Sequence, residues 1–205
     1  MQKDLGGGTF FELEAAGGRL WIDFANTLAL ASAGHVDALA TPEAFIEWAA
    51  RRGLPRPMAL ASLVPAAQEL RGGLVESLAS GPSVVISAVN KILENSRSWP
   101  RIEQEVSAWK VVVIRRHETV EDVLAPIAES FAETLARVEW ARIRKCGRPD
   151  CHMHFLDETK NGRRRWCSMA LCGNRMKAAR HYHRARGPVV GDHSAPNKAG
   201  SDSDA

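Results

Sequence analysis

KCGRPDCHMHFLDETKNGRRRWCSMALCGNRMKAARHYHRAR, residues 145–186, holds all four cysteines of the chain and eleven of its 27 Lys and Arg residues. The cysteines fall as C-x4-C (Cys146, Cys151), fifteen residues, then a second C-x4-C (Cys167, Cys172). Two tight pairs separated by a hairpin-sized spacer can close on one tetrahedral ion. Four thiolates at about 2.3 Å satisfy zinc completely and leave no open position for water. The expected site is therefore one structural Zn2+. His152 and His154 lie between the pairs, but four cysteines already fill the coordination sphere, so phosphate or outer-shell contacts suit them better. A nuclease built from His152, His154, Asn161 and His181 would need a second metal site that the sequence does not offer.

Between the pairs, HMHFLDETKNGRRRW reads as strand, turn and strand, with Asn161 and Gly162 as the hairpin turn. After the second pair the chain is rich in Ala, Arg, Lys and Met and free of Pro until Pro188, which predicts a helix over residues 169–186. Knuckle, hairpin and a helix carrying the last ligand in its first turn make a treble-clef-like module, whose folding free energy comes largely from the metal. At 100° per residue, Leu171, Ala178, Tyr182 and Ala185 form one stripe suited to pack on the hairpin. Lys177, Arg180 and Arg184 lie on roughly the opposite face, with Arg175 beside the packed stripe.

Charge is divided along the chain. Residues 1–140 carry 13 Lys/Arg against 18 Asp/Glu, whereas residues 141–187 carry 13 against 3, a local excess of +10. A basic face would be partly explained by the −2 charge of a four-thiolate zinc centre, but +10 exceeds what that requires. The excess points to a polyanion, expected to be DNA, gripped by Arg163, Arg164 and Arg165 together with Arg175, Lys177, Arg180 and Arg184. No apolar run reaches eighteen residues, and MQKDLGGG lacks the pattern of a secretory signal. A cytoplasmic protein with no membrane partner is expected, and in that reducing setting clustered cysteines favour a metal over disulfides.

The region before the cysteines reads as mostly helical. Residues 1–8 form a Gly-rich, mobile lead. From Thr9 an apolar strand-like run, a Gly17 and Gly18 turn and a second apolar run predict a hairpin or a strand passing into a helix. Thr41 and Pro42 read as N-cap and first helical residue, with Phe45, Trp48 and Ala49 facing inward and a stop near Gly53. Leu60, Leu63, Val64, Ala67, Leu70, Leu74 and Leu78 recur at helical steps, and Val85, Ile86, Val89, Ile92 and Leu93 mark a further helix. Residues 100–116 alternate and then turn β-branched, predicting a β-hairpin turning at Ser107 and Ala108. Val120, Val123, Leu124, Ile127, Ala128, Phe131, Leu135 and Val138 predict about five helical turns despite Pro126. The fold class expected is α+β: a predominantly α-helical N-terminal domain with one or two β-hairpins, followed by the zinc module. Residues 188–205 are small, polar and Pro/Gly-rich, and are expected to be disordered.

The run WCSMALCGNRMKAARHYHRAR, with CGRPDCHMHFLDETKNGRRR before it, closely resembles the CGNR zinc-finger family, whose name stands here as Cys172, Gly173, Asn174 and Arg175. Upstream, LWIDFANT at residues 20–27 resembles the motif of the ABATE domain that accompanies such fingers. The resemblance implies a bacterial transcription regulator with a regulatory domain at residues 9–140 and a finger at 141–187. Within that motif Asp23, Asn26 and Thr27 are polar groups among Leu20, Trp21, Ile22 and Phe24. They either cap a helix and tie the hairpin to the core, or line a ligand pocket with Arg71.

Two functions are therefore carried forward. In the first the chain is a zinc-dependent DNA-binding regulator whose N-terminal domain senses a small-molecule effector or mediates homodimerisation. In the second the finger is an RNA-binding or protein-interaction module on a ligand-binding domain. No nucleophile–base arrangement stands out, so an enzyme is not expected.

Overall fold

The structure is a computed structural model that describes residues 16–54 and 61–186. The expected mobile lead, the strand-like run from Thr9, Leu60 and the tail at 188–205 lie outside the described residues. Among these residues are six α-helices, two small antiparallel sheets and one cysteine cluster, an α+β fold.

Helix α1, Leu20–Ser32, is the centre. It buries Trp21, Ile22, Phe24, Ala25 and Leu30 together with Asp23, Asn26 and Thr27. A helix buried on nearly all sides must be surrounded, and α1 packs against α3 (Leu63–Ser80), α5 (Val120–Arg137) and strand β4 (His154–Leu156). Trp21 meets Phe131 edge-on at 5.1 Å and stacks on Trp140 at 5.7 Å, while its indole N–H donates to the Thr134 hydroxyl at 3.0 Å. Phe24 points the other way, to Trp48 at 5.3 Å and Phe45 at 6.3 Å on α2, Pro42–Arg51. The second apolar run does not begin as a strand. The chain is helical from Leu20, because a residue that alternates faces in a strand could not reach three helices and a sheet edge at once.

The Thr41 cap is present, its hydroxyl accepting from the Ala44 amide. Helix α3 ends at Gly81, whose φ of 94° is cheap only for glycine. In α4, Ile86–Asn95, Val89 is buried after Val85 before it, but Ile86 is exposed, so the predicted stripe is narrower by one residue. Thr119 and Asp122 form a reciprocal capping box that starts α5, which runs through Pro126. Asp122 also accepts the Arg97 amide at 2.7 Å. Burial pushes its carboxyl up, but the amides of Arg97, Thr119 and Glu118 hold it below the ordinary value.

Strands β1, Ser98–Glu105, and β2, Ala108–Arg115, pair from Ser98 opposite Arg115 to Glu105 opposite Ala108. The turn is thus Val106 and Ser107, one residue before its expected place. Arg115 anchors the ribbon's base to Glu129 of α5 at 2.6 Å.

The second sheet corrects the sequence reading. His154–Leu156 does not pair with residues 163–166 across Asn161 and Gly162. It pairs backwards with β3, Ile143–Lys145, through the first cysteine knuckle, Lys145 opposite His154. The knuckle enforces this, since the Cys146 amide donates to Met153 O at 2.9 Å as the chain folds back on itself. Residues 157–166 form an irregular loop instead. The helix after the second pair starts with a wide π-type turn, Met169–Gly173, and continues as α6, Asn174–Arg186. Of the stripe expected to pack on a hairpin, Leu171 is buried in the core around the cysteines, whereas Ala178 is exposed and Tyr182 is 52% exposed. The Ala185 side chain lies outside the description. No described helix is long and apolar enough to cross a membrane.

Candidate metal centre

The four cysteines are buried and reduced, and their sulfur atoms lie within 4.8 Å of one another. Cys151 Sγ is 3.8 Å from Cys167 Sγ, which is 3.6 Å from Cys172 Sγ. Sulfurs at about 2.3 Å from a tetrahedral zinc are separated by roughly 3.8 Å, so the donor set fits that ion in number, kind and spacing. The protein would hold the metal with Cys146 and Cys151 of the first knuckle and Cys167 and Cys172 of the second. The Cys167 amide also points at Cys146 Sγ at 3.5 Å, where it stabilises thiolate charge.

As four bare thiols the cluster is electrostatically divided. Cys146 is held far below the ordinary thiol range by hydrogen bonds from Cys151, Cys167 and Cys172. Cys151 falls to about 7, raised by its bond to Cys146 but lowered further by Cys167 and Cys172. Cys167 and Cys172 are pushed up, each first by its bond to Cys146. This order belongs to the set of four, not to single residues. A divalent cation removes the conflict by letting all four be thiolates.

Packing around the centre is tight. A Cβ on Gly173 would sit 2.5 Å from Met169 Sδ and 3.1 Å from Trp166 Cδ1, so a larger residue there would displace the end of the Met169 side chain. Met153, Phe155, Trp166 and Leu171 complete the small core, and Ala16 and Leu30 join it from the helical body.

Arg164 is part of this scaffold. Its guanidinium lies 4.4 Å over the Phe155 ring and donates to the carbonyls of Trp166 at 3.0 Å, Leu156 at 3.3 Å and Cys167. Because it is spent on backbone carbonyls, it is not placed to grip phosphate as the sequence suggested. Arg164→Ala should destabilise the zinc-loaded chain by about 2–4 kcal/mol, and Arg164→Lys should recover little, because one ammonium cannot reproduce a planar fork. Denaturant melts of the three proteins measure this.

Asp157, fully buried, was not singled out by sequence and organises the loop. It accepts from the Thr159 hydroxyl at 2.5 Å and amide at 3.0 Å and from the Arg164 amide at 2.8 Å. Burial raises its pKa, but the bonds from Thr159, Arg164 and Arg144 hold it below the ordinary carboxylate value. An Asp two residues before Thr in a polar loop is the signal that could have found it.

Residues 18–138 match the family model of the ABATE domain, whose description is "Putative stress-induced transcription regulator", and residues 142–185 match that of the CGNR zinc finger. The chain belongs to the ABATE family and carries a CGNR zinc finger. No curated protein matches it.

The ABATE motif residues resolve into separate jobs. Asp23 accepts the Gly17 amide at 2.7 Å and faces Arg52 at 3.6 Å. Gly17 itself has no room for a Cβ, which would meet Asp23 Oδ1 at 2.6 Å. Thr27 donates to Phe24 O at 2.7 Å and accepts from Arg71 at 3.1 Å. Arg71 is locked to Asp37 by two bonds, at 2.5 and 3.0 Å, and the first lowers the Asp37 pKa most. Asn26 bonds both backbone groups of His154 at 2.8 Å each, tying the ABATE helix to the CGNR strand. These four polar side chains are thus directed at backbone and at Arg52 and Asp37, with one bond among themselves between Thr27 and Arg71, not into a shared pocket.

The structure does contain a cleft of about 360 Å3 elsewhere, between α1, α3 and the first knuckle. Leu28, Ala29, Val75 and Leu78 line its apolar side and Lys145 and His152 its polar side; of Asp23, Asn26, Thr27 and Arg71 only Asn26 reaches it.

On the CGNR surface, Arg163, Lys177, Arg180 and Arg184 are exposed and Arg175 is half-buried. Arg165 lies against the Trp166 ring at 5.2 Å. With Lys160, Arg163, Trp166 and Met169 it borders an open depression of about 570 Å3.

Proposed function

We propose that the chain is a DNA-binding transcription regulator whose CGNR finger is held by one zinc ion and whose ABATE domain carries the regulatory input. The observation that supports this most is α6. It has no acidic residue, and Lys177, Arg180 and Arg184 stand in solvent along it. A helix that keeps a basic face in solvent can lay that face in a major groove. Arg163, Arg165 and Lys160 then meet phosphate from the adjoining loop, and Arg175 is the candidate for base contact. The polar groups of the ABATE motif are engaged with backbone groups and with Arg52 and Arg71, which favours a binding protein over an enzyme. An effector, if small and largely apolar, fits the cleft beside Leu28 and Leu78, whose size is that of ordinary ligand sites.

With about five phosphates engaged, log K for duplex binding should fall with log salt at a slope of about −4 to −5. Arg180→Ala with Arg184→Ala should reduce the magnitude of that slope by about 2. Fluorescence anisotropy of the zinc-loaded protein over a salt series measures both, and an unchanged slope removes the two arginines from the interface. Structured RNA as competitor at matched salt separates the RNA-binding reading. Failure to bind either would favour the protein-interaction reading.

A further inference from the structure

The β1–β2 ribbon has an apolar face that no described residue covers. Its register puts Pro100, Ile102 and the uncharged Gln104 of β1 beside Val113, Val111 and Trp109 of β2 on one side, with Val106 at the tip. Ile102, Trp109 and Val111 are 68–70% exposed, Val113 is 52% exposed and Val106 is fully exposed. The other face is different in kind. It carries the Arg101–Glu103 and Lys110–Glu105 ion pairs and the half-buried Val112 and Ile114. Charge is thus collected on the side already partly covered, and the bare side has none at its centre. A two-stranded ribbon is marginal in water without something packed on it.

We propose that this face is the contact between two copies of the chain. Taking about 100 Å2 per aliphatic side chain and about 150 Å2 for Trp109, the face offers on the order of 600 Å2. That matches the lower bound of about 600 Å2 per partner for specific association and reaches the upper end, about 600 Å2, of the largest apolar patch on a typical monomer. The absence of Lys or Arg at its centre argues against nucleic acid or an anionic bilayer, both of which need cations. The same face on a second copy is flat, apolar and equally uncharged. It closes under a two-fold axis that runs across the strands, midway between the two faces and opposite Val111, setting Trp109 of each copy against Val113 of the other and turning both sets of ion pairs outward. Given the regulator reading above, the dimer presents two CGNR fingers to one duplex and offsets the weak grip of one.

Sedimentation of the zinc-loaded full chain without nucleic acid tests this. The mass should rise from 22.4 kDa to twice that with concentration, with a dissociation constant on the order of 10 μM. Ile102→Lys with Val111→Glu replaces the central cross-strand pair by an ion pair that preserves the ribbon while charging the face, and it should weaken association at least about 100-fold. Arg101→Gln, on the opposite face, should leave association unchanged. Should the double variant fail to fold, judged by circular dichroism and zinc content, amide exchange of the unaltered chain decides. Exchange in residues 98–115 should slow as concentration rises. A monomer at about 200 μM, a dimer that survives the folded double variant, or a dimer with an unprotected ribbon would overturn the proposal. Since no DNA is present, loss of dimerisation leaves the DNA reading intact, and loss of DNA binding leaves this one intact.

Discussion

Stripping the metal from the full chain should unfold the CGNR module while leaving the ABATE core largely folded. The buried core around the cysteines has only a handful of apolar side chains, Met153, Phe155, Trp166 and Leu171 among them, and four of its members are the cysteines themselves. So small a cluster cannot offset the ordering of some forty residues at about 1–2 kcal/mol each for backbone alone. A structural zinc supplies about 10–16 kcal/mol near neutral pH. The ABATE core is a separate cluster built from Trp21, Phe24, Phe45, Trp48, Leu74, Leu124 and Phe131. A strong chelator should therefore expose Trp166, shift its emission to the red and abolish the ellipticity of α6, while a second thermal transition survives. Cys167→Ser should do the same without chelator, because Cys167 is 99% buried and its sulfur lies between those of Cys151 and Cys172. Elemental analysis should find one zinc per native chain and almost none in the variant. A chelated chain that keeps its Trp166 emission and α6 ellipticity would show that packing alone holds the module.

The parts of this molecule legible in the sequence are those set by short-range rules. The C-x4-C pairs sit together because thiolates need a metal, the Thr41 and Pro42 helix start is local capping, and the 120–138 periodicity is one face of one helix. The β1–β2 pairing also followed from local chemistry, with its turn displaced by a single residue. What was not legible depends on which distant segment claims an unpaired group. The Asn161 and Gly162 turn signal is real, since Gly162 has φ +59°, but the strand before it was already taken by residues 143–145 through the knuckle. Arg164 reads like its neighbours Arg163 and Arg165, and nothing local announces that Phe155 and four carbonyls, those of Ala16, Leu156, Trp166 and Cys167, will enclose it. The ABATE motif posed the same difficulty. Asp23, Asn26, Thr27 and Arg71 look like a pocket when their partners Gly17, His154 and Asp37 are unknown, and like a set of braces once they are known.

The brace at Asn26 should be the most costly single change outside the cysteines. Its amide acts as a substitute strand on the outer edge of β4, donating to His154 O and accepting from His154 N, and the side chain is 99% buried. Asn26→Ala leaves both backbone groups unmatched at a seam with no strand to replace it. An unmatched buried group costs about 1–3 kcal/mol, so the change should cost about 2–5 kcal/mol. Asn26→Asp separates hydrogen bonding from mere volume. At neutral pH its carboxylate still accepts from His154 N but sets a negative oxygen against His154 O, so it should be at least as destabilising as alanine. Burial raises the pKa of such a carboxyl. The protonated form can again donate to His154 O, so Asn26→Asp should regain stability relative to the unaltered chain as pH falls from 7 toward 5. Asn26→Ala has no titrating group there and should show no such recovery. Paired denaturant melts at the two pH values, with amide exchange at His154 as the local probe, distinguish the cases. If all three proteins melt alike and the His154 amide stays protected, this seam is not what joins the two parts. If the recovery is seen, the helix at the centre of the ABATE core and the strand behind the first zinc knuckle are one mechanical unit. A ligand in the neighbouring cleft, which Asn26 also borders, would then act on the CGNR finger through a single buried amide.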